Sequence, residues 1–311
     1  MSEARFSVGL VQMLEGDDPR PVAAFAIRAE ALGFAGLWTL DSALGGPTSH
    51  MPILDGLHAL SHVAAVTDEI RLGVAVVVMS RRNPALLARD VATIDRVSGG
   101  RMTLGVGLGA PETERVTQLG FAVDRRVRRL TEGVAVMREL WAKDEASFDG
   151  ELYSLSRARV EPKPAQRPGV PIWLGAGREP ALRRAARIGD GWIGSGSSSA
   201  EDFTAQAAIV RGALEEQGRD PARFPLAKRV YIAVEDDAEV GVRRLSAVLD
   251  GMYGRPGLGE RVGVAGPPER CAEVLRGMVD AGATELVLTP MYGHLAQLER
   301  LDEVARLARA R

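Results

Sequence analysis

Eight short apolar runs recur along the chain, each bounded by Gly, Pro, Ser or Asp, with longer amphipathic stretches between them. The runs are Phe6–Met13, Gly36–Leu40, Leu72–Met79, Met102–Leu108, Pro171–Leu174, Gly191–Ser195, Val230–Val234 and Leu286–Thr289. Several are apolar almost throughout, as in Leu72-Gly-Val-Ala-Val-Val-Val-Met79, the pattern of parallel strands buried on both faces. Helices must then cover both sides. Helical periodicity runs over Pro21–Leu32, over the arginine-rich stretch that follows Asp124 as its N-cap, and over Ala181–Ile188, Ala200–Gln217, Glu239–Leu249, Pro268–Ala281 and Leu295–Ala310. Eight strands alternating with helices in 311 residues fit one α/β domain, a (β/α)₈ TIM barrel over 1–311, better than two domains.

Two intervals are too long for ordinary connections: about 109–169, with a Gly/Tyr/Pro-rich part, and about 251–263, which is glycine-rich. Long insertions in a compact domain are usually functional or disordered. At the C-terminal face of a barrel they would wall and cover the active site.

Composition narrows the function classes. With 39 basic and 41 acidic residues the net charge is −2, which gives no field to draw nucleic acid or an anionic membrane. No run approaches the length of a membrane span, and the first residues lead into a strand instead of a signal peptide. The single Cys271 excludes an intrachain disulfide framework and any multi-cysteine metal site. The chain therefore reads as a soluble, cytoplasmic protein with a small-molecule substrate.

Few motifs carry chemistry. Gly105-Val-Gly-Leu-Gly-Ala110 satisfies the dinucleotide pattern G-x-G-x-x-A, yet Pro111 and Glu112 interrupt the helix that such a fingerprint opens, and three βα units lie upstream. Glycines that let a cofactor or loop approach the barrel mouth are the better reading. In Ile172-Trp-Leu-Gly175-Ala176-Gly177-Arg178-Glu-Pro180 a strand, a glycine turn and a helix with proline in its first turn succeed one another. Free backbone N–H groups at the helix's positive end, with Arg178 beside them, suit an anion; an ordinary βα turn with a surface arginine is the plainer alternative. Asp41 closes the second strand, where a barrel carboxylate faces the active site, although Asp also serves as a turn or N-cap residue there. His58 and His62 are spaced i, i+4 without the glutamate or third ligand of a zinc motif, so no metal is expected. Cys271, in an Ala-rich helical run, reads as a buried inert thiol. Neither a G-x-S-x-G elbow nor a P-loop is present.

Two blocks carry a resemblance: Arg71-Leu-Gly-Val-Ala-Val-Val-Val-Met-Ser-Arg-Arg-Asn83-Pro84-Ala, and Asp95-Arg-Val-Ser98-Gly99-Gly100-Arg101 through Gly105-Val-Gly107. With Pro162-Lys-Pro164, Gly189-Asp-Gly-Trp192 and Ala265-Gly-Pro-Pro-Glu269, they make the chain similar to the bacterial luciferase-like monooxygenase superfamily over nearly its whole length. The resemblance implies a barrel that binds coenzyme F420 or, alternatively, FMN at its mouth. It carries cofactor contacts onto Asp41, Ala75, Val76 and Gly107, with a non-proline cis peptide at Ala75-Val76, and the phosphate onto Gly175, Ala176, Gly177 and Arg178. The arginine-rich sequence, with lysine only at 143, 163 and 228, favours the F420 branch.

The chain also departs from the pattern. The sugar-phosphate dehydrogenases of that branch place histidine and glutamate where this sequence has Ser42 and Ala110, so their proton-transfer pair is missing. Glu112, Glu114 and His50 are candidate acids or bases by position only. Met13, Trp38, Met79, Trp192 and Met291 are expected to give an apolar substrate pocket. The reading is hydride transfer between F420 and a small, apolar organic substrate, in a homodimer. The alternatives are an FMN-dependent monooxygenase served by a flavin reductase, a cofactor-binding barrel without turnover, and a phosphate-binding isomerase or aldolase, for which no lysine stands at a strand end to form a Schiff base.

Overall fold

The computed structural model describes residues 4–10, 12, 20–41, 53–109 and 124–310. In chain order the strands are β1 (Arg5–Gly9), β2 (Gly36–Thr39), β3 (Arg71–Val78), β4 (Met102–Gly107), β5 (Ala146–Asp149), β6 (Ser154–Ala158), β7 (Ile172–Gly175), β8 (Gly191–Gly194), β9 (Leu226–Val234), β10 (Val264–Gly266) and β11 (Glu285–Pro290). Eight of them close a parallel ring in the order β1-β2-β3-β4-β7-β8-β9-β11, with β8 pairing β9 and β11 pairing β1. All eight expected strands are members of this ring, and the molecule is a (β/α)₈ barrel. The glycines of Gly105–Gly107 sit within strand β4, so they do not open a dinucleotide-binding helix.

The helices are α1 (Arg20–Ala31), α2 (Gly56–Ala64), α3 (Pro84–Val97), α4 (Arg126–Ala142), α5 (Glu179–Ile188), α6 (Ala200–Glu215), α7 (Ala238–Tyr253), α8 (Leu258–Val262), α9 (Pro268–Asp280) and α10 (His294–Arg309). Their starts follow from local chemistry. Asn83 caps α3 by accepting from the N–H groups of Ala85 and Leu86, with Pro84 in the first turn. Ser199 and Asp202 form a reciprocal capping box on α6. At α4 the expectation fails: the residue before the helix is Arg125, in the left-handed region at φ 48°, and Asp124 pairs with the Arg129 guanidinium at 3.4 Å instead.

The long intervals are built differently from one another. In the first, β5 and β6 form an antiparallel hairpin held on α4 by Glu132, whose carboxylate accepts from the N–H groups of Glu151, Leu152 and Tyr153. The chain then reaches the start of β4, where Asp95 accepts from the backbone and side chain of Gln166. This stretch braces the flank and base of the barrel. In the second, α7 runs on to Tyr253, and Gly254, at φ +62°, ends it.

The base is locked by one buried carboxylate. Glu285, at the start of β11, accepts from Ser7 Oγ and Trp38 Nε1 at 2.8 Å each and pairs with Arg71 at 2.8 Å and Arg5 at 3.1 Å. Arg101, of the Ser-Gly-Gly-Arg block, donates to the carbonyls of Ala64, Thr67, Ile70 and Ser98. That block is a structural clasp. Above this base the lumen is filled by Trp38, Trp173, Ile193, Ala227 and Val287, the two indoles lying 5.2 Å apart.

Candidate active site at the barrel mouth

Above the Trp38–Trp173 layer the lumen opens into a cavity of about 590 Å³. Its walls come from the C-terminal parts of β3, β4, β7 and β8, from the middle of β9 and from the last residue of α7; the C-terminal face is where a barrel collects its functional side chains.

One wall is a bulge in β3. The register against β4 slips between Val74 and Val77, and the Ala75–Val76 peptide is cis. Val76 packs on the lumen layer, and glycines on the neighbouring strands make room for the bulge. A Cβ on Gly107 would stand 2.6 Å from Val76 Cγ2, one on Gly175 2.9 Å from Val76 Cγ1, and one on Gly105 2.2 Å from the Val74 carbonyl oxygen. Real Cβ atoms do not approach so closely, so Gly107 and Gly175 admit only glycine while Val76 stays where it is, and Gly105 only glycine while the Val74 carbonyl does.

The anion loop follows β7. Gly175, Ala176, Gly177 and Arg178 all line the cavity, and α5 begins just beyond, with Arg178 in extended conformation at its N-cap. No side chain caps this helix; Pro180 has no N–H and those of Ala181 and Leu182 donate to the Arg178 carbonyl at 2.9 Å, so the Glu179 N–H is the one the helix start offers to an anion, beside the Arg178 guanidinium. The loop is held from behind: Trp192 Nε1 donates to the Ala176 carbonyl at 3.0 Å and Gln206 Nε2 to the Gly177 carbonyl at 3.2 Å.

The polar side of the cavity belongs to β9. This strand pairs with β8 only through Lys228 and with β10 only from Ile232, so between them the edge is open, and Arg229 and Tyr231 face the cavity. Tyr231 shares a hydroxyl–hydroxyl hydrogen bond of 2.7 Å with Tyr253; burial, followed by the neighbouring Tyr231, pushes the Tyr253 phenol well above its ordinary range. Lys228 faces the other way. Its Nζ donates to the carbonyls of Ser195, Ser198 and Arg229, which pins the β8–α6 loop, and burial followed by the Arg229 charge brings it down to about 7. Arg126 completes the rim, donating to the Gly109 carbonyl at 3.2 Å.

Of the residues singled out from sequence, Ala75, Val76, Gly107, Gly175, Ala176, Gly177 and Arg178 meet on this one cavity. Asp41 does not line it: nearly buried, it accepts from Arg82 at 2.7 Å and from the Val78 N–H at 3.3 Å; Arg82 also binds Asp55 at 2.7 Å. Met13, His50, Glu112 and Glu114 lie outside the described residues, as do Ser42 and Ala110. The remaining apolar set does not line the cavity. Trp38 belongs to the layer beneath it, Met79 is fully buried in the outer core, Trp192 points outward to stack on Phe203, and Met291 packs in a cluster behind Tyr231. The reason is strand alternation: Ile193 takes the inward position on β8, so its neighbour Trp192 must face the helices.

Sequence reading missed Arg229, Tyr231, Tyr253 and Arg126. A signal existed for two of them, since Arg229 and Tyr231 are two apart in a wholly buried strand and so share a face. Among the described residues no cluster of His, Cys, Asp and Glu could hold a metal ion, and no helix is long and apolar enough to cross a membrane. His58 is exposed and bonds Asp55 at 2.9 Å. Cys271 is buried, which pushes its thiol up to about 12.

Comparison with known proteins agrees with this architecture. The chain is 30% identical over 300 residues to an F420-dependent glucose-6-phosphate dehydrogenase of Kineococcus radiotolerans, covering 86% of each. It is 33% identical over 238 residues to F420-dependent glucose-6-phosphate dehydrogenase 1 of Rhodococcus jostii, covering 72% of this chain and 68% of the relative. In fold it matches an F420-dependent secondary alcohol dehydrogenase solved with an F420–acetone adduct, at a TM-score of 0.85 and 19% identity over 98% and 99% of the two chains. Residues 3–255 match the model of the luciferase-like monooxygenase family, and the chain belongs to that family.

Proposed function

We propose that the protein is an oxidoreductase that moves a hydride between coenzyme F420 and a small organic substrate. The observation that carries this reading is the convergence of the Val76 bulge, its glycine surround and the Gly175–Arg178 loop on one cavity. The residues fit such a cofactor. A Cβ on Gly177 would meet only Gln206 Nε2, at 3.7 Å, so backbone can approach a phosphate there, and the uncapped start of α5 with Arg178 favours its charge. Ala75 and Val76 offer a flat apolar rest for a ring. When bound, the deazaflavin supplies the hydride chemistry, and the protein's part is to hold the ring and exclude water.

Two features of the cavity favour different substrates. Val76, Leu108, Ala181 and Ile193 give the cavity apolar walls, which supports a small substrate with an apolar body. The relatives named as glucose-6-phosphate dehydrogenases, together with Arg126 on the rim, favour glucose 6-phosphate as a second reading. The Tyr231–Tyr253 pair supplies a hydroxyl that can meet a substrate oxygen in either case, in place of the histidine and glutamate of those enzymes. Titration of the protein with F420 and with FMN, followed by F420 reduction assayed with glucose 6-phosphate and with a panel of secondary alcohols, tests the reading. Tight FMN binding without F420 binding rejects it.

A further inference from the structure

Among the described residues Arg229 is a buried charge without a counter-charge. It lies in the middle of β9, is 6% exposed and lines the cavity. Its Nη2 reaches across the lumen to the Thr39 carbonyl at 3.2 Å, its Nε is buried with no partner, and among the described residues it makes no ion pair. A guanidinium stays protonated under all ordinary conditions, and burying one unpaired is costly. Other buried charges are satisfied where they stand: Glu285 has two arginines and Asp41 has Arg82, while Lys163 and Lys228, which make no ion pair among the described residues, spend their N–H groups on two and three carbonyls, and Asp95 accepts from Met102 and Gln166. The exception faces a cavity.

Its depth separates it from the phosphate site. The Gly177–Arg178 loop is exposed at the rim, whereas Arg229 reaches Thr39, which neighbours Trp38 in the aromatic layer that Ala75 and Val76 also touch. A planar ring resting on the Ala75–Val76 peptide would present its inner edge to this guanidinium. Resting on the F420 reading, we propose that Arg229 is the receptor for the negative charge that the ring gains on reduction. Addition of a hydride to carbon leaves that charge on the N1–C2 carbonyl edge of the pyrimidinedione, and a planar fork of N–H donors matches such an edge. A positive charge beside N1 favours the reduced cofactor over the oxidised one.

The test is the ratio of dissociation constants for oxidised and reduced F420, measured by fluorescence titration at mildly alkaline pH on the full chain. The wild type should bind the reduced form more tightly. Arg229→Met should lower that preference by about 10- to 100-fold, the scale of a lost charge-assisted hydrogen bond, while affinity for the oxidised form changes little. Arg229→Lys, which keeps the charge without the fork, should retain part of the preference and guards against loss of folding in the first variant. An unchanged ratio in both variants, equal weakening of both redox forms, or an effect confined to substrate KM overturns the proposal, the last assigning Arg229 to a substrate anion. Failure of the wild type to bind either form of F420 overturns the cofactor reading as well, and is distinguishable because it appears before any substitution.

Discussion

Gly107 and Val76 meet across the β3–β4 seam, and the space a Gly107 Cβ would need is already filled, 2.6 Å away, by Val76 Cγ2. Gly107→Ala is expected to lower stability by about 1–3 kcal/mol, because a β-branched side chain has no soft rotamer to retreat into. Cofactor affinity should fall with it, since Val76 would be pushed into the cavity. Combining the change with Val76→Ala should recover most of the stability, so a double-mutant cycle followed by urea unfolding checks the contact directly. Simple additivity of the two changes would contradict it.

The Arg82 clasp predicts a pH dependence. Burial raises the Asp55 carboxyl, but hydrogen bonds from Arg82 and His58 outweigh it and hold the group at about 2 instead of 3.8. The unfolded chain therefore binds a proton there more readily than the folded one, and stability rises with pH through this window. The contribution is complete above about 3.8 and fades as pH falls towards 2. Asp55→Asn should flatten the acid limb of the stability curve between those values, read from thermal melts, and leave the limb above neutrality unmoved.

Glu285 and its partners should divide by exposure. Glu285→Ala strands the buried Ser7 hydroxyl and Trp38 indole N–H, so a loss of about 2–4 kcal/mol is expected from two unsatisfied donors. Arg5, whose side chain is 40% exposed, can turn to water; Arg5→Ala should cost less than about 1 kcal/mol. Equal losses for the two variants in urea titrations would show that charge, not donor satisfaction, sets the cost.

At the rim, Arg178→Ala should weaken F420 binding about 3- to 10-fold, the scale of one exposed charge beside a helix start, with the difference shrinking as salt is added. Affinity measured at two ionic strengths reads both effects. A loss that salt does not reduce would place Arg178 somewhere other than against a phosphate.

Much of this molecule was legible in the chain before folding. Apolar runs buried on both faces and the helical periodicities between them identify eight strands in order, and all eight enter the barrel. The Asn83-Pro84 block is legible as a helix start. The cis peptide at Ala75–Val76 and the Gly175–Arg178 loop are legible through family resemblance. Side-chain direction was less accessible: Trp38, Met79, Trp192 and Met291 are large and apolar in strands or next to strand ends, yet none lines the cavity. Periodicity identifies two faces of a strand without saying which one looks into the lumen.

Closure of the ring made that choice. Whether Ile193 or Trp192 faces inward depends on how β8 registers against β7 and β9, contacts between residues far apart in sequence. The same closure swings Arg229 across the lumen to Thr39, 190 residues earlier in the chain, and brings Tyr253 from the second long interval against Tyr231. Local hydrophobic pattern, which depends on neighbours along the chain, is sufficient to determine the strands and their order. The cavity's charge and its glycine-lined wall depend on which strands stand opposite one another, and only the closed barrel decides that.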